Sequence, residues 1–244
     1  MKYCIFGDIH ANLEALEEVL RDAEAQGCTH YACLGDIVGY NANPRECLEL
    51  VRTIECPVVK GNHDEECSRE TPLEGLNPLA FAALTWTRGH MREKEKEYLR
   101  RLRLVRQVTD FTIVHATLDS PGGWAYVQNK FDAMASFNYQ FTGVCFFGHT
   151  HVPVGYTQEG SARPEKVDIQ DHALVIEPWR KYFINVGSVG QPRDGDWRAA
   201  YAIYDKPNHS VLVRRLKYDL KRAQQKIVKA GLPENLAYRL EEGR

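Results

Sequence analysis

Residues Lys2-Tyr3-Cys4-Ile5-Phe6-Gly7-Asp8-Ile9-His10 decide how this chain is read. Apart from Lys2 the run up to Phe6 is apolar, which predicts a short buried strand. Glycine at position 7 permits a tight turn, and a carboxylate and an imidazole follow at Asp8 and His10. The same hand-over recurs four times. Leu34-Gly35 leads into Asp36, and Val58-Val59-Lys60-Gly61 leads into Asn62, His63 and Asp64. Thr112-Ile113-Val114 leads into His115, and Phe146-Phe147-Gly148 leads into His149 and His151. Five expected strands therefore release polar residues at their C-terminal ends, the edge of an α/β sheet where sites form.

Outward from these runs the apolar period alternates. Leu13, Leu16, Val19 and Leu20 predict a helix over residues 11–25. Pro44 opens a second over residues 44–54, and others are expected at 77–88, 92–102 and 132–139. Strands are expected at 2–6, 30–34, 57–59, 111–114, 143–147, 152–158, 173–177, 182–185, 199–204 and 210–216. A helix over residues 218–230 packs Leu220, Ala223, Ile227 and Ala230, with Lys221, Arg222, Lys226 and Lys229 on its solvated face. No repeat or linker interrupts the pattern, so one domain over residues 1–244 is expected. Helices early and strands late predict an α/β sandwich of two facing sheets.

The bulk numbers narrow the class. With 244 residues, 43% hydrophobic and 26% charged, the chain has the size and balance of a soluble enzyme with a real core. A net charge of -2 argues against broad nucleic-acid binding. The seven cysteines are odd in number, and Cys33 and Cys145 lie within apolar runs, so buried free thiols in a reducing compartment are expected. The N-terminus opens directly into a strand and no apolar run reaches membrane length, which points to a cytoplasmic protein with no membrane partner. Oligomeric state is left open.

Imidazole and carboxylate without thiolate suit manganese, iron, nickel or zinc. A carboxylate can bridge two metals, and Asp36 is the natural bridge; Asn62 can add a neutral carbonyl oxygen. Two carboxylates against two divalent ions leave about two units of positive charge, which favours an anionic substrate. A single Asp-x-His, or one histidine after a strand, is more often structural. Only the ordered set carries the inference.

Asp8-Ile9-His10, Gly35-Asp36, Gly61-Asn62-His63-Asp64, His115 and Gly148-His149-Thr150-His151 resemble the ordered motifs of the calcineurin-like metallophosphoesterase superfamily. Residues Asn185-Val186-Gly187-Ser188-Val189-Gly190-Gln191-Pro192-Arg193-Asp194-Gly195-Asp196 resemble the late loop of its small single-domain bacterial and archaeal phosphodiesterases. With Gly39-Tyr40 and Trp86-Thr87-Arg88 the likeness spans nearly the whole chain. It implies a four-layer α/β/β/α sandwich of two facing mixed sheets. It also implies two divalent metal ions, manganese first, with iron, nickel or zinc as alternatives. One would be held by Asp8, His10, Asp36 and His151, the other by Asp36, Asn62, His115 and His149.

The expected reaction is hydrolysis of small phosphodiesters or phosphomonoesters, nucleotide-like ones included, by in-line attack of a metal-bridging hydroxide. His63 is the expected acid, or at least a donor, for the leaving oxygen, and Asp64 would hold its other ring nitrogen. Arg193, Ser188 and Tyr40 are the expected substrate contacts, with Gly187, Ser188 and Gly190 offering backbone N–H groups to an anion. Two departures matter. Ala116 follows His115 where the family commonly has glycine, which stiffens the turn. Tyr40 stands where protein Ser/Thr phosphatases of the superfamily place an arginine, which weighs against phosphoproteins. Protein phosphatase, dinucleoside polyphosphate hydrolase, nuclease and non-catalytic scaffold are the competing readings.

Overall fold

The structure is a computed structural model that describes residues 1–169 and 172–244. Two mixed sheets carry it. In the first, β1 (Lys2–Phe6) lies parallel to β2 (His30–Cys33) and antiparallel to β10 (Ala199–Asp205). β11 (Ser210–Leu216) and the two-residue β8 (Leu174–Val175) extend that sheet beyond β10. In the second, β4 (Phe111–Val114), β5 (Val144–Phe147) and β9 (Arg180–Asn185) run parallel. β3 (Val105–Val108) flanks β4, and β6 (Val154–Glu159) with β7 (Glu165–Val167) flanks β9, all antiparallel.

Period-two alternation assigns each strand face to a layer. Tyr3 and Ile5 of β1 face Phe111, Phe146 and Ile184 in the apolar layer between the sheets. Cys4 and Phe6 point the other way, onto Leu16 and Val19 of α1 (Leu13–Ala25). Across the second sheet, Cys145, Phe147 and Phe183 turn outward onto Phe137 of α6 (Lys130–Tyr139). Three apolar layers between helix, sheet, sheet and helix are the four-layer sandwich the sequence leads one to expect. α2 (Pro44–Thr53), α4 (Pro78–His90) and α5 (Glu93–Arg101) join the first helical layer. So do α7 (Leu220–Lys229) and α8 (Glu234–Glu242), through Ile227, Leu236 and Leu240.

Several expectations change. Residues 57–59 form only isolated parallel bridges, Cys33 with Val58 and Val59 with Arg103, so no ladder develops there. The strand expected at 173–177 shrinks to Leu174–Val175. α3 (Asn62–Ser68), β3, β7 and α8 carry too weak a pattern to read in advance. Lys226 and Arg222 of α7 are not simply solvated: both reach the buried Glu14 carboxylate, at 2.5 and 3.2 Å. All seven cysteines are free thiols, six of them buried. Among the described residues no helix is long and apolar enough to cross a membrane.

One polar tie fixes α1 to the first sheet. Asp22 accepts from Arg214 Nε at 2.6 Å and Nη2 at 2.9 Å, and from the Tyr201 hydroxyl at 2.6 Å. Burial alone would raise the Asp22 carboxyl, but its bonds from Arg214 and Tyr201 outweigh that and hold it below the usual carboxylate range. A depressed folded value means the tie stabilises the fold above the unfolded carboxylate value and is lost as pH falls through the folded one. Asp22→Asn should therefore lower stability at neutral pH by about 1 kcal/mol, solvent screening at this half-open pair included. Thermal melts of both proteins should converge as the pH falls through the depressed folded value of the Asp22 carboxyl.

Candidate metal centre

The site assembles where both sheets end. Asp8 follows β1, Asp36 follows β2, His115 follows β4, and His149 and His151 follow β5, while Asn62 opens α3. Backbone bonds lock the turns together: Asp8 N–H donates to Gly35 C=O at 3.0 Å, and Gly148 N–H to His115 C=O at 2.9 Å. Asp8, His10, Asp36, Tyr40, His149 and His151 all have positive φ, between 46° and 69°. Non-glycine residues in that region cost about 1 kcal/mol or more each and persist where surrounding structure enforces them. The cost is concentrated here, at the proposed ligands.

Two groups of potential ligand atoms emerge, each with all its atoms within 4.8 Å of one another: Asp8, His10, Asp36 and His151, and Asp36, His115 and His149. Asp36 belongs to both. Its Oδ2 lies 3.5 Å from His10 Nε2 and 3.4 Å from His115 Nε2. Every member is buried.

The imidazoles are set by the bonds on their far sides. His10 Nδ1 faces Val38 C=O at 3.2 Å, His115 Nδ1 faces Leu34 C=O at 2.8 Å, and His151 Nδ1 faces Gln191 C=O at 2.6 Å. A carbonyl only accepts, so Nδ1 carries a proton in each, and Nε2 of His10 and of His151 presents a lone pair inward. His149 is reversed, donating from Nε2 to Trp124 C=O at 2.9 Å. His10 Nε2 and His151 Nε2 then face each other at 3.0 Å with two lone pairs, an arrangement that repels unless a cation is shared. Asn62 Oδ1 is buried without a hydrogen-bond partner, and His115 Nε2 faces Asp36 Oδ2 at 3.4 Å. The orphaned oxygen, the facing lone pairs of His10 and His151 and an O/N donor set fit divalent metal ions.

Charge follows the same plan. Burial pushes His10 and His151 well below the ordinary imidazole range, and His149 down to about 4, so these rings stay neutral, the form in which an imidazole can ligate a metal. Burial also raises Asp36, but the neighbouring His115 and His63 more than reverse this and hold it well below the carboxylate range. Burial raises Asp8. Burial lowers His115, but the Asp36 charge overrides it and brings that ring up to about 9 without metal.

The structure departs from three expectations nearby. Asp64 does not hold His63. Its carboxylate accepts from Ile37 N–H at 2.9 Å, Val38 N–H at 3.4 Å and Gly61 N–H at 3.1 Å, tying α3 to the loop after β2, and His63 Nδ1 is left unpartnered. Burial and the Asp36 charge lift Asp64 to about 7. Ser188 is fully buried, donating to Asp8 C=O and accepting from Gln191 N–H, both at 2.8 Å, so its hydroxyl is already used. The backbone N–H groups of Gly187 and Gly190 are likewise spent on Asn185 Oδ1 and Asp8 C=O. The late loop braces the site; it does not offer an anion nest. Tyr40 is buried, its ring 4.8 Å from His10 and 4.5 Å from His63. Arg193 lies over that ring at 5.7 Å.

Sequence reading missed the supports. Asn185 Nδ2 donates to Gly148 C=O at 2.6 Å and to Thr150 Oγ1 at 2.9 Å, fixing the loop that carries both late histidines. Asn41 Nδ2 donates to His10 C=O at 2.7 Å. An asparagine at a strand end, two residues before Gly187, was the only cue for the first; nothing marked the second.

Fold and site together define an α/β sandwich with a metal-binding Asp/His cluster at the shared edge of its two sheets. The chain belongs to the calcineurin-like phosphoesterase superfamily, whose domain model matches residues 1–208. An uncharacterised protein of Methanocaldococcus jannaschii is 36% identical over 244 residues, 98% of this chain and 97% of that protein. A solved metallophosphoesterase from Sphaerobacter thermophilus is 38% identical with a TM-score of 0.87, covering 100% of this chain and 99% of its own. A hypothetical protein from Pyrococcus horikoshii OT3 shares the fold at 20% identity and a TM-score of 0.77, covering 100% and 98%.

Proposed function

We propose that this protein is a dinuclear-metal hydrolase of small phosphate esters. The observation that carries the reading is the sharing of Asp36 by the two ligand groups, with Asn62 Oδ1 buried and unpartnered at the start of α3. Asp8, His10, Asp36 and His151 would hold one ion, and Asp36, Asn62, His115 and His149 the other. When bound, such ions supply a Lewis-acidic centre that draws in phosphoryl oxygens and lowers the pKa of water. The chain's own residues keep His10, His149 and His151 neutral, orient the imidazoles through backbone carbonyls, and exclude bulk water by burial.

His63 is the proton donor in this reading. Its backbone N–H is committed to Asp36 Oδ1 at 2.8 Å, and its ring packs on Tyr40 and His10 at the edge of the cluster. Burial holds it below the ordinary imidazole range, so it acts at neutral pH as a neutral N–H donor to the leaving oxygen. His63→Ala should keep the metal content of the parent and lose about a hundredfold or more in turnover of bis(p-nitrophenyl) phosphate. Full activity in that variant removes His63 from the chemistry.

The reading as a whole is tested by loading the protein with manganese, nickel or zinc and assaying aryl monoesters and diesters beside elemental analysis. Two ions per chain with turnover is the expected result. Bound metal with no turnover on any ester would instead favour a non-catalytic scaffold.

A further inference from the structure

The partly buried arginines divide into two sets. Among the described residues all but two, from Arg45 on Glu95 at 3.1 Å to Arg215 on Asp194, face an Asp or Glu side chain. Arg193 and Arg239 are the exceptions. Arg193 donates from Nη2 to the neutral Gln191 side chain at 2.9 Å, and its Nε is buried without a partner. Arg239, on α8, donates from Nε to the main-chain oxygen of Arg244 at 3.1 Å.

Both guanidinium groups converge on one ring. Arg193 Cζ lies 5.7 Å and Arg239 Cζ 5.9 Å from the centroid of Tyr40. Tyr40 in turn touches His10 and His63, so the pair stands at the wall of the metal centre. Burial, and then the charge of Arg193, push Arg239 below the ordinary guanidinium range. Two like charges against one ring, neither facing a side-chain carboxylate, are costly, and an anion that reaches both removes the cost.

We propose that Arg193 and Arg239 form an anion clamp for a second phosphoryl group next to the scissile one, making vicinal phosphates the preferred substrate class. The proposal rests on the phosphoesterase reading above. Two divalent ions against Asp8 and Asp36 already leave about two positive units, enough for one phosphate. The guanidinium pair adds two more, which a singly charged diester leaves unused. The Tyr40 ring seats two arginines from distant segments of the chain. Arg239 lies beyond residues 1–208, so family membership does not assign it.

The test uses manganese-loaded full chain and two non-hydrolysable probes, methylphosphonate and methylenediphosphonate, titrated by calorimetry with metal in excess. The parent should bind the diphosphonate about tenfold tighter or more. Arg239→Gln and Arg193→Gln should each weaken the diphosphonate about tenfold and remove most of that preference, at unchanged metal content. Arg239→Lys should retain part of it and serves if the glutamine variant fails to fold. Variants that keep the parent's preference overturn the clamp, as does a parent that binds both probes equally. A parent that binds neither probe overturns the phosphoesterase reading itself, and the clamp with it.

Discussion

On the proposed dinuclear reading, replacing Asp36 by asparagine should leave the protein with no metal ion, or at most one, and lower turnover on aryl phosphate esters by about three orders of magnitude. The reason is that one side chain serves both ligand groups, with Oδ2 placed 3.5 and 3.4 Å from His10 and His115 Nε2. Asparagine keeps the shape and the acceptor for His63 N–H, but not the anionic charge that offsets two cations. Loss of the same charge also frees His115, whose raised value depends on Asp36. Asp8→Asn is the comparison. Asp8 belongs to one group only, so that variant should retain the second ion. Elemental analysis of both variants decides the matter. If Asp36→Asn keeps two ions with full turnover, the shared-ligand reading fails.

The second large effect is expected from Gly190→Ala. A methyl group there would lie 1.8 Å from the Ile9 carbonyl oxygen, 2.6 Å from its carbon and 3.0 Å from Asn12 Cβ. The obstacle is backbone, so no rotamer change relieves it. Ile9 sits between Asp8 and His10, and Gly190 N–H holds Asp8 C=O at 2.9 Å. The clash therefore pushes directly on two proposed ligands. Stability should fall by about 3 kcal/mol or more, and metal affinity should fall with it. Gly143→Ala meets nothing within 4 Å and should change stability by less than about 0.5 kcal/mol. Denaturant unfolding of the two variants, with and without added manganese, separates a local clash from a general intolerance of alanine.

The Gly190 contact also revises the late loop. As a string, residues 185–196 look like an anion nest, because glycines with free N–H groups make one. Folded, those N–H groups are occupied, and Ser188 with them. What remains for a ligand in that loop is Arg193, and its companion Arg239 comes from a helix the apolar pattern had not revealed. α3 was hidden for a related reason. Asn62-His63-Asp64-Glu65-Glu66-Cys67-Ser68 has no apolar stripe, and the Asp64 carboxylate caps its first turn at Gly61 N–H.

By itself the sequence determined the alternation of strands and helices, the layered class, and the seven metal-capable residues from Asp8 to His151. Those features are local: strand period, glycine at a turn, and residue chemistry are all legible along the chain. Tertiary structure alone decided which atoms face one another. It turned three imidazoles inward by giving their far nitrogens to Val38, Leu34 and Gln191 carbonyls. It spent Asp64 and Ser188 on the backbone, and it brought Arg193 and Arg239 to one ring. Hydrogen bonds and charge pairs act over a few ångströms in space, and partners such as His10 and His151 are 141 residues apart in the chain. No pattern along the sequence encodes that proximity until the two sheets pack and their C-terminal edges meet.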